Sequence, residues 1–240
     1  MEPYLSSWNK INRAPFFTYL FLGIQLLIFI LMEITGMRLG LIGGSENSQI
    51  LFMFGAMSPE TVVSQHEYWR FVTPIFVHIG LTHLAINSLS LYFVGRILEP
   101  IIGHTRFFIL YLISGIMGNA LSFAFGNPYG LSAGASTSLF GLFAAFIALG
   151  KMFKYHPMIR HMSQNMTLLI ILNLVMNLFD SGVDILGHLG GAIGGILLMI
   201  ALGVPKKSLN DTLNIHKRIA AGIFVIFMIG FCIFYGFSFI

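Results

Sequence analysis

Long apolar runs separated by short polar breaks set the pattern of this chain. A helix needs roughly 20 apolar residues to cross a bilayer, and seven runs come near that length. The first starts near Pro15, after Arg13, and ends before Glu33. The second runs from Leu81 to Leu98, where Glu99-Pro100 closes it, and the third from Arg106 to Phe125. The fourth covers Ala133 to Gly150. The fifth, Met166 to Phe179, is short and is interrupted by Asn173 and Asn177. The sixth covers Ile185 to Val204 and the seventh Ile219 to Ile240. Lys10 and Arg13 resemble the start of a signal peptide, but the run after them is long and no small-residue cleavage site follows, which predicts a retained span. Residues 36–73 are too polar to cross and too apolar for a free linker. Ile50-Leu51-Phe52-Met53-Phe54 and Trp69-Arg70 predict a segment lying in the membrane interface.

The expected architecture is therefore an all-α polytopic membrane protein. Residues 1–14 form an N-terminal cytoplasmic segment and 15–204 a six-helix core with the long interfacial first loop. Residues 205–218 form a cytoplasmic loop, and 219–240 an appended seventh helix. Composition agrees: 9% of residues are charged and 56% hydrophobic, whereas soluble domains carry about 25% charged residues. The net charge of +4 is scattered in small groups between apolar runs, which excludes a nucleic-acid partner. If the N-terminus is cytoplasmic, Lys10, Arg13, Arg96, Arg106, Lys151, Lys154, Arg160, Lys206, Lys207, Lys217 and Arg218 all fall inside. Only Arg38 and Arg70 fall outside. That asymmetry predicts seven spans in this orientation, with the C-terminus on the outer side. The lone Cys232 excludes an intrachain disulfide and reads as packing.

Candidate chemistry gathers in three places, all at the outer ends of spans. Leu131-Ser132-Ala133-Gly134-Ala135-Ser136 follows the turn signal Gly126-Asn127-Pro128-Tyr129-Gly130 and leads into an apolar helix. Ser136 thus falls in a first turn, where free N–H groups and the helix dipole favour a developing anion. Gly134, Ser138, Gly141, Ala145 and Ala148 also form a small-residue stripe, whose ordinary meaning is close helix packing. The second place is His78-Ile79-Gly80-Leu81-Thr82-His83-Leu84-Ala85-Ile86-Asn87. On a helix His83 and Asn87 lie about 40° apart, whereas His78 is about 140° from His83 and falls off that face. In the third, His188, Gly191 and Gly195 share one face, so a neighbouring helix can bring a polar group to the imidazole. A serine needs a base, and acyl transfer needs oxyanion donors. Ser136 with His188 supplies the first. The Ser136 N–H with His83 and Asn87 supplies the second. No carboxylate lies within these motifs, which favours a dyad over a triad. No H-E-x-x-H occurs, so neither a metal nor another cofactor is called for.

These motifs together resemble the rhomboid intramembrane serine proteases. The resemblance rests on Trp69-Arg70 and on the H-x4-H-x3-N spacing of His78, His83 and Asn87. It continues with Gly95-x3-Glu99, Gly134-x-Ser136 and His188-x2-Gly191-x3-Gly195, in family order over residues 15–203. It implies a nucleophile at Ser136, a base at His188, and an oxyanion hole from His83, Asn87 and the Ser136 N–H. His78, Gly134, Phe140 and Gly191 would shape the site. The seventh helix matches the six-plus-one subgroup. Thr137 replaces a frequent glycine, Gly187 a usual alanine, and Phe140 a frequent tyrosine. Implied too are transmembrane protein substrates entering sideways from lipid, with the fifth segment as gate, and a bacterial plasma membrane as location. Two rivals stand beside this reading. One is a catalytically inactive relative that binds membrane proteins, against which the retained Ser136 and His188 argue. The other is a haem or ion-handling protein using His83 and His188, which an absorbance spectrum would reveal.

Overall fold

The computed structural model describes residues 14–177, 182–205 and 213–239. The expectations for Lys10, Arg13, Phe179, Lys206, Lys207 and Ile240 lie outside the described residues. Those residues form nine α-helices: α1 (Phe16–Leu39), α2 (Ser48–Met53), α3 (Pro59–Gln65), α4 (Gly80–Ile102), α5 (His104–Phe125), α6 (Ser136–Met152), α7 (Pro157–Asn177), α8 (Ile185–Leu202) and α9 (Ile215–Phe239). Helices α1, α4, α5, α8 and α9 are long and apolar enough to cross a membrane. Their outward faces carry large exposed apolar side chains, such as Leu26, Leu27, Phe93, Ile226 and Phe234. Only a lipid surround makes such a surface favourable.

α6 is shorter, 17 residues, because it hardly touches lipid. Every residue from Thr137 to Phe146 is buried. Helices α5, α6 and α8 pack together as the centre, with α9 against α5 and α8, α7 against α6, and α1 against α4. Small residues make the contacts close. A Cβ at Gly191 would collide with the carbonyl oxygen of Thr137, and one at Gly195 with that of Gly141. The stripe on α6 therefore does pack, as its composition suggests, and the same packing delivers His188 to the start of α6.

Several boundaries differ from the sequence expectation, for physical reasons. α1 continues past Glu33 to Leu39 because Glu33 is satisfied locally: its Oε1 accepts from the Ser45 N–H at 3.0 Å and from Ser45 Oγ at 2.5 Å. α4 runs through Glu99 and Pro100 to Ile102, since Glu99 turns inward instead of ending the helix. Its fully buried carboxylate accepts from the Phe17 N–H at 2.9 Å, the Thr18 N–H at 2.8 Å and Thr18 Oγ1 at 2.7 Å. It thereby caps the start of α1, whose own N-cap residue, Pro15, makes no side-chain cap bond. His104 Nδ1 lies 2.6 Å from Glu99 Oε1 and joins the same polar cluster. Arg96 is no partner of Glu99; its guanidinium bonds to the Tyr92 hydroxyl, 2.5 Å away. α7 begins at Pro157, well before Met166, because its polar first turns extend beyond the apolar run.

Candidate active site

The first loop builds the floor of the site. Arg70, 3% exposed, donates to the carbonyls of Phe52 at 3.0 Å and Ala56 at 2.7 Å and pairs with Glu67. It pins α2 and the turn after it, while Trp69 stays exposed. Thr73 Oγ1 donates to the Gly55 carbonyl at 2.6 Å, and Asn119 Nδ2 on α5 donates to the Phe71 carbonyl at 2.9 Å. The loop thus fixed pairs with the chain just before Ser136. Met57 and Ser132 exchange backbone hydrogen bonds of 2.8 and 3.2 Å, and the Gly134 N–H donates to the Pro74 carbonyl at 2.9 Å. Arg70, Thr73 and Asn119 support the site at a distance. Of these, sequence reading singled out only Arg70, as an anchor.

Ser136 is the first residue of α6. The earliest helical bond joins the Leu139 N–H to the Ala135 carbonyl, so the N–H groups of Ser136, Thr137 and Ser138 have no helical acceptor. On α8, His188 is 5% exposed, and its Nε2 lies 2.8 Å from Ser136 Oγ. Phe140, one turn into α6, stacks on the imidazole with ring centroids 4.2 Å apart and planes 10° apart. That stack fixes the ring without a tyrosine hydroxyl.

Gly134 has φ of +138°, and a Cβ there would stand 2.6 Å from His83 Cε1 and 3.6 Å from Ser136 Oγ. Only glycine lets the His83 ring come up beside the serine. His83 Nδ1 accepts from the Ile79 N–H at 3.4 Å, so Nε2 carries the proton and is a donor on the Gly134 side. Asn87, 4% exposed, donates one Nδ2 hydrogen to the His83 carbonyl at 2.8 Å; its second amide hydrogen remains to be given.

His78 joins the site by a route that a helical wheel cannot show. α4 begins only at Gly80, so His78 lies in the preceding loop and the 140° argument does not apply to it. Its Nε2 accepts from the Ala135 N–H at 3.3 Å, and its ring meets that of His83 edge-on at 5.4 Å. Burial, with His83 beside it, lowers the His78 pKa to about 3, so the ring is neutral and free to accept. It props the loop that leads into Ser136.

In front of Ser136 a cavity of about 710 Å³ opens between α4 and α7, lined by His83, Asn87, Ser90, Phe143, Asn173 and His188 among others. A second cavity, about 720 Å³, lies by Glu33 and the Gly40–Gly44 loop and holds no nucleophile–base pair. Among the described residues no group of three or more His, Cys, Asp or Glu side chains could hold a metal.

A serine at a helix start thus faces an imidazole from a glycine-packed helix, an arrangement able to support acyl transfer. The Rhomboid domain model matches residues 65–205, more than half of the chain. Over 230 residues the chain is 40% identical to "Rhomboid protease GluP" of Bacillus subtilis (strain 168), covering 94% of this chain and 41% of that protein. It is 39% identical over 154 residues to "RHOMBOID-like protein 1" of Arabidopsis thaliana, covering 63% of this chain and 39% of that one. To "Rhomboid-like protease 3" of Toxoplasma gondii it is 33% identical over 156 residues, 64% of this chain and 58% of that protein. The chain thus spans about two fifths to three fifths of these relatives' lengths. Fold, site geometry and similarity converge: the chain is a multi-pass membrane protein of the rhomboid family.

Proposed function

We propose that this protein is an intramembrane serine endopeptidase that cuts peptide bonds in or near transmembrane segments of other proteins. The observation that carries this reading is the 2.8 Å contact between Ser136 Oγ and His188 Nε2 at the mouth of the cavity. In the first step Ser136 Oγ attacks the scissile carbonyl carbon while its proton passes to His188 Nε2. The negative charge moves to the carbonyl oxygen, where the Ser136 N–H, His83 Nε2–H and the spare Asn87 N–H receive it. Collapse of the intermediate breaks the C–N bond. The Nε2 proton goes to the leaving nitrogen, and an acyl-enzyme remains. Water, giving its proton to the same Nε2, then bonds to the acyl carbon; the C–Oγ bond breaks, Nε2 returns the proton to Ser136 Oγ, and the acid leaves.

The substrate enters sideways from lipid between α4 and α7, where the polar groups Asn87, Ser90, Asn173 and Asn177 line the cavity. Helices with small or helix-weakening residues are the favoured substrates, because an intact helix hides its carbonyls in its own hydrogen bonds. The site faces the outer side by the distribution of basic residues. Single cysteines at exposed Gln65 and Lys154, in a Cys232→Ala background, test this. An impermeant maleimide should label whole cells only at position 65, and labelling at 154 would reverse the orientation. Ser45 is a poor reporter because it is buried beneath Glu33. The reading itself is tested by purified protein in proteoliposomes with a model transmembrane substrate. Wild type should cleave it and Ser136→Ala should not; an uncleaved substrate with wild type would favour the inactive, binding relative.

A further inference from the structure

The dyad leaves a buried donor without an acceptor. With His188 Nε2 accepting from Ser136, the ring hydrogen must sit on Nδ1. Nδ1 is buried and has no hydrogen-bond partner among the described residues. Such a group is costly and calls for an explanation.

One turn earlier lies a matching acceptor. Asp184 caps α8: its Oδ1 accepts from the Gly187 N–H at 2.8 Å. Its other oxygen, Oδ2, is buried and unused by any described donor. Residues four apart on a helix share a face, and Asp184 is close enough to act on His188 electrostatically, as is His83. A Cβ at Gly187 would stand 2.7 Å from Asp184 Oδ2 and 3.0 Å from Thr137 Cγ2. Glycine at 187 is therefore what leaves the carboxylate its place between the start of α8 and Thr137.

We infer that Asp184 is a positioning residue for His188, its free carboxylate oxygen holding the ring in the Nδ1–H form and stabilising the imidazolium. This rests on the Ser136–His188 reading above. When Ser136 Oγ bonds to the carbonyl carbon and its proton reaches Nε2, the ring carries two N–H groups and a full positive charge. The proton stays on the ring and none passes to the carboxylate. The influence of Asp184 is largest at that stage, which is the condition for raising the rate instead of substrate affinity. No direct bond between the two is needed at rest, since catalytic hydrogen bonds are often long before the substrate binds.

The competing explanation is that Asp184 is a helix cap and nothing more. Asparagine and serine cap about as well as aspartate, so Asp184→Asn removes the charge and keeps the cap. Replacing the carboxylate of an intimate triad by an amide costs about 10⁴ in kcat. A carboxylate not in direct contact acts through Coulomb attraction alone and predicts a smaller loss, about ten- to a hundredfold. We expect that fall in kcat on a model transmembrane substrate, with KM and the melting temperature close to wild type. In protein labelled with ¹⁵N-histidine and phosphonylated at Ser136, the His188 Nδ1 proton should resonate downfield and move upfield in Asp184→Asn. If Asp184→Asn lost the fold, Asp184→Ser would read the same kcat. A wild-type kcat in Asp184→Asn, with Ser136→Ala inactive, would make Asp184 a cap alone and overturn the inference. An active Ser136→Ala would instead bring down the Ser–His reading itself.

Discussion

Helices α7 and α8 both line the cavity before Ser136, yet they are built by opposite rules. α8 places glycines at 187, 190, 191, 194 and 195, and its backbone lies directly on α5 and α6. α7 buries only Ile159, Met166 and Ile170. It packs chiefly on α6, and Leu168, Ile171, Leu172, Val175 and Met176 face outward, exposed. His188 sits on the helix that cannot shift without breaking close backbone contacts. The helix with asparagines on its cavity side is held along one face. In lipid, where apolar burial gives little drive to association, close packing of small residues is what holds helices together. The two helices therefore differ in constraint: α8 holds His188 against Ser136, and α7 borders the cavity with one face free.

The contrast can be broken most severely at Gly191. Gly191→Val puts side-chain atoms where the Thr137 carbonyl stands. Overpacking of that kind costs about 1–3 kcal/mol or more, so thermal denaturation in detergent should show a lowered melting temperature and cleavage should be lost. Leu172→Ala on exposed α7 should leave the melt nearly unchanged; equal losses in both variants would erase the distinction between the helices. Next in size is an oxyanion donor on the fixed side of the cavity. Asn87→Ala should lower kcat by about 10²–10³ with the fold intact, measured on the reconstituted protein. A wild-type kcat would make Asn87 a packing amide bonded only to the His83 carbonyl. The smallest effect belongs to α7. Asn173 is exposed and bonds to its own helix at Leu169, so Asn173→Leu should change stability by no more than about 0.5 kcal/mol. It should nonetheless shift the ratio of cleavage rates between a helix-weakened substrate and a stable one. An unchanged ratio would take Asn173 out of the substrate's path.

How much of this was legible follows from where each interaction lies along the chain. The helices that cross, and the meeting of Ser136 with His188, could be read because their signals are local. These are apolar length, a turn before Ser136, and glycines three and seven residues after His188. Glu33 and Glu99 misled, since a charge in an apolar run looks like an end. Glu99 is satisfied by the Thr18 N–H, 81 positions away, which no window around Glu99 contains. The helical-wheel argument for His78 misled for a related reason. Its partner, the Ala135 N–H, lies 57 positions off, and the helix assumed for it starts two residues later. Asp184 was visible one turn before His188, but a carboxylate at a helix start already has a sufficient meaning as a cap. Only the burial of its second oxygen, one turn from an Nδ1 that has no partner among the described residues, suggests another.

The central claim is that Ser136 is a nucleophile activated by His188, and one measurement addresses it most directly. The purified protein is incubated with a serine-reactive fluorophosphonate, and the modified peptide is mapped by mass in wild type, Ser136→Ala, His188→Ala and the double variant. The account predicts modification at Ser136 alone in wild type and none in Ser136→Ala. It predicts near-complete loss in His188→Ala, and a double variant no worse than Ser136→Ala, since members of one catalytic unit are not additive. Modification at Ser138, or full labelling and cleavage in His188→Ala, would contradict it.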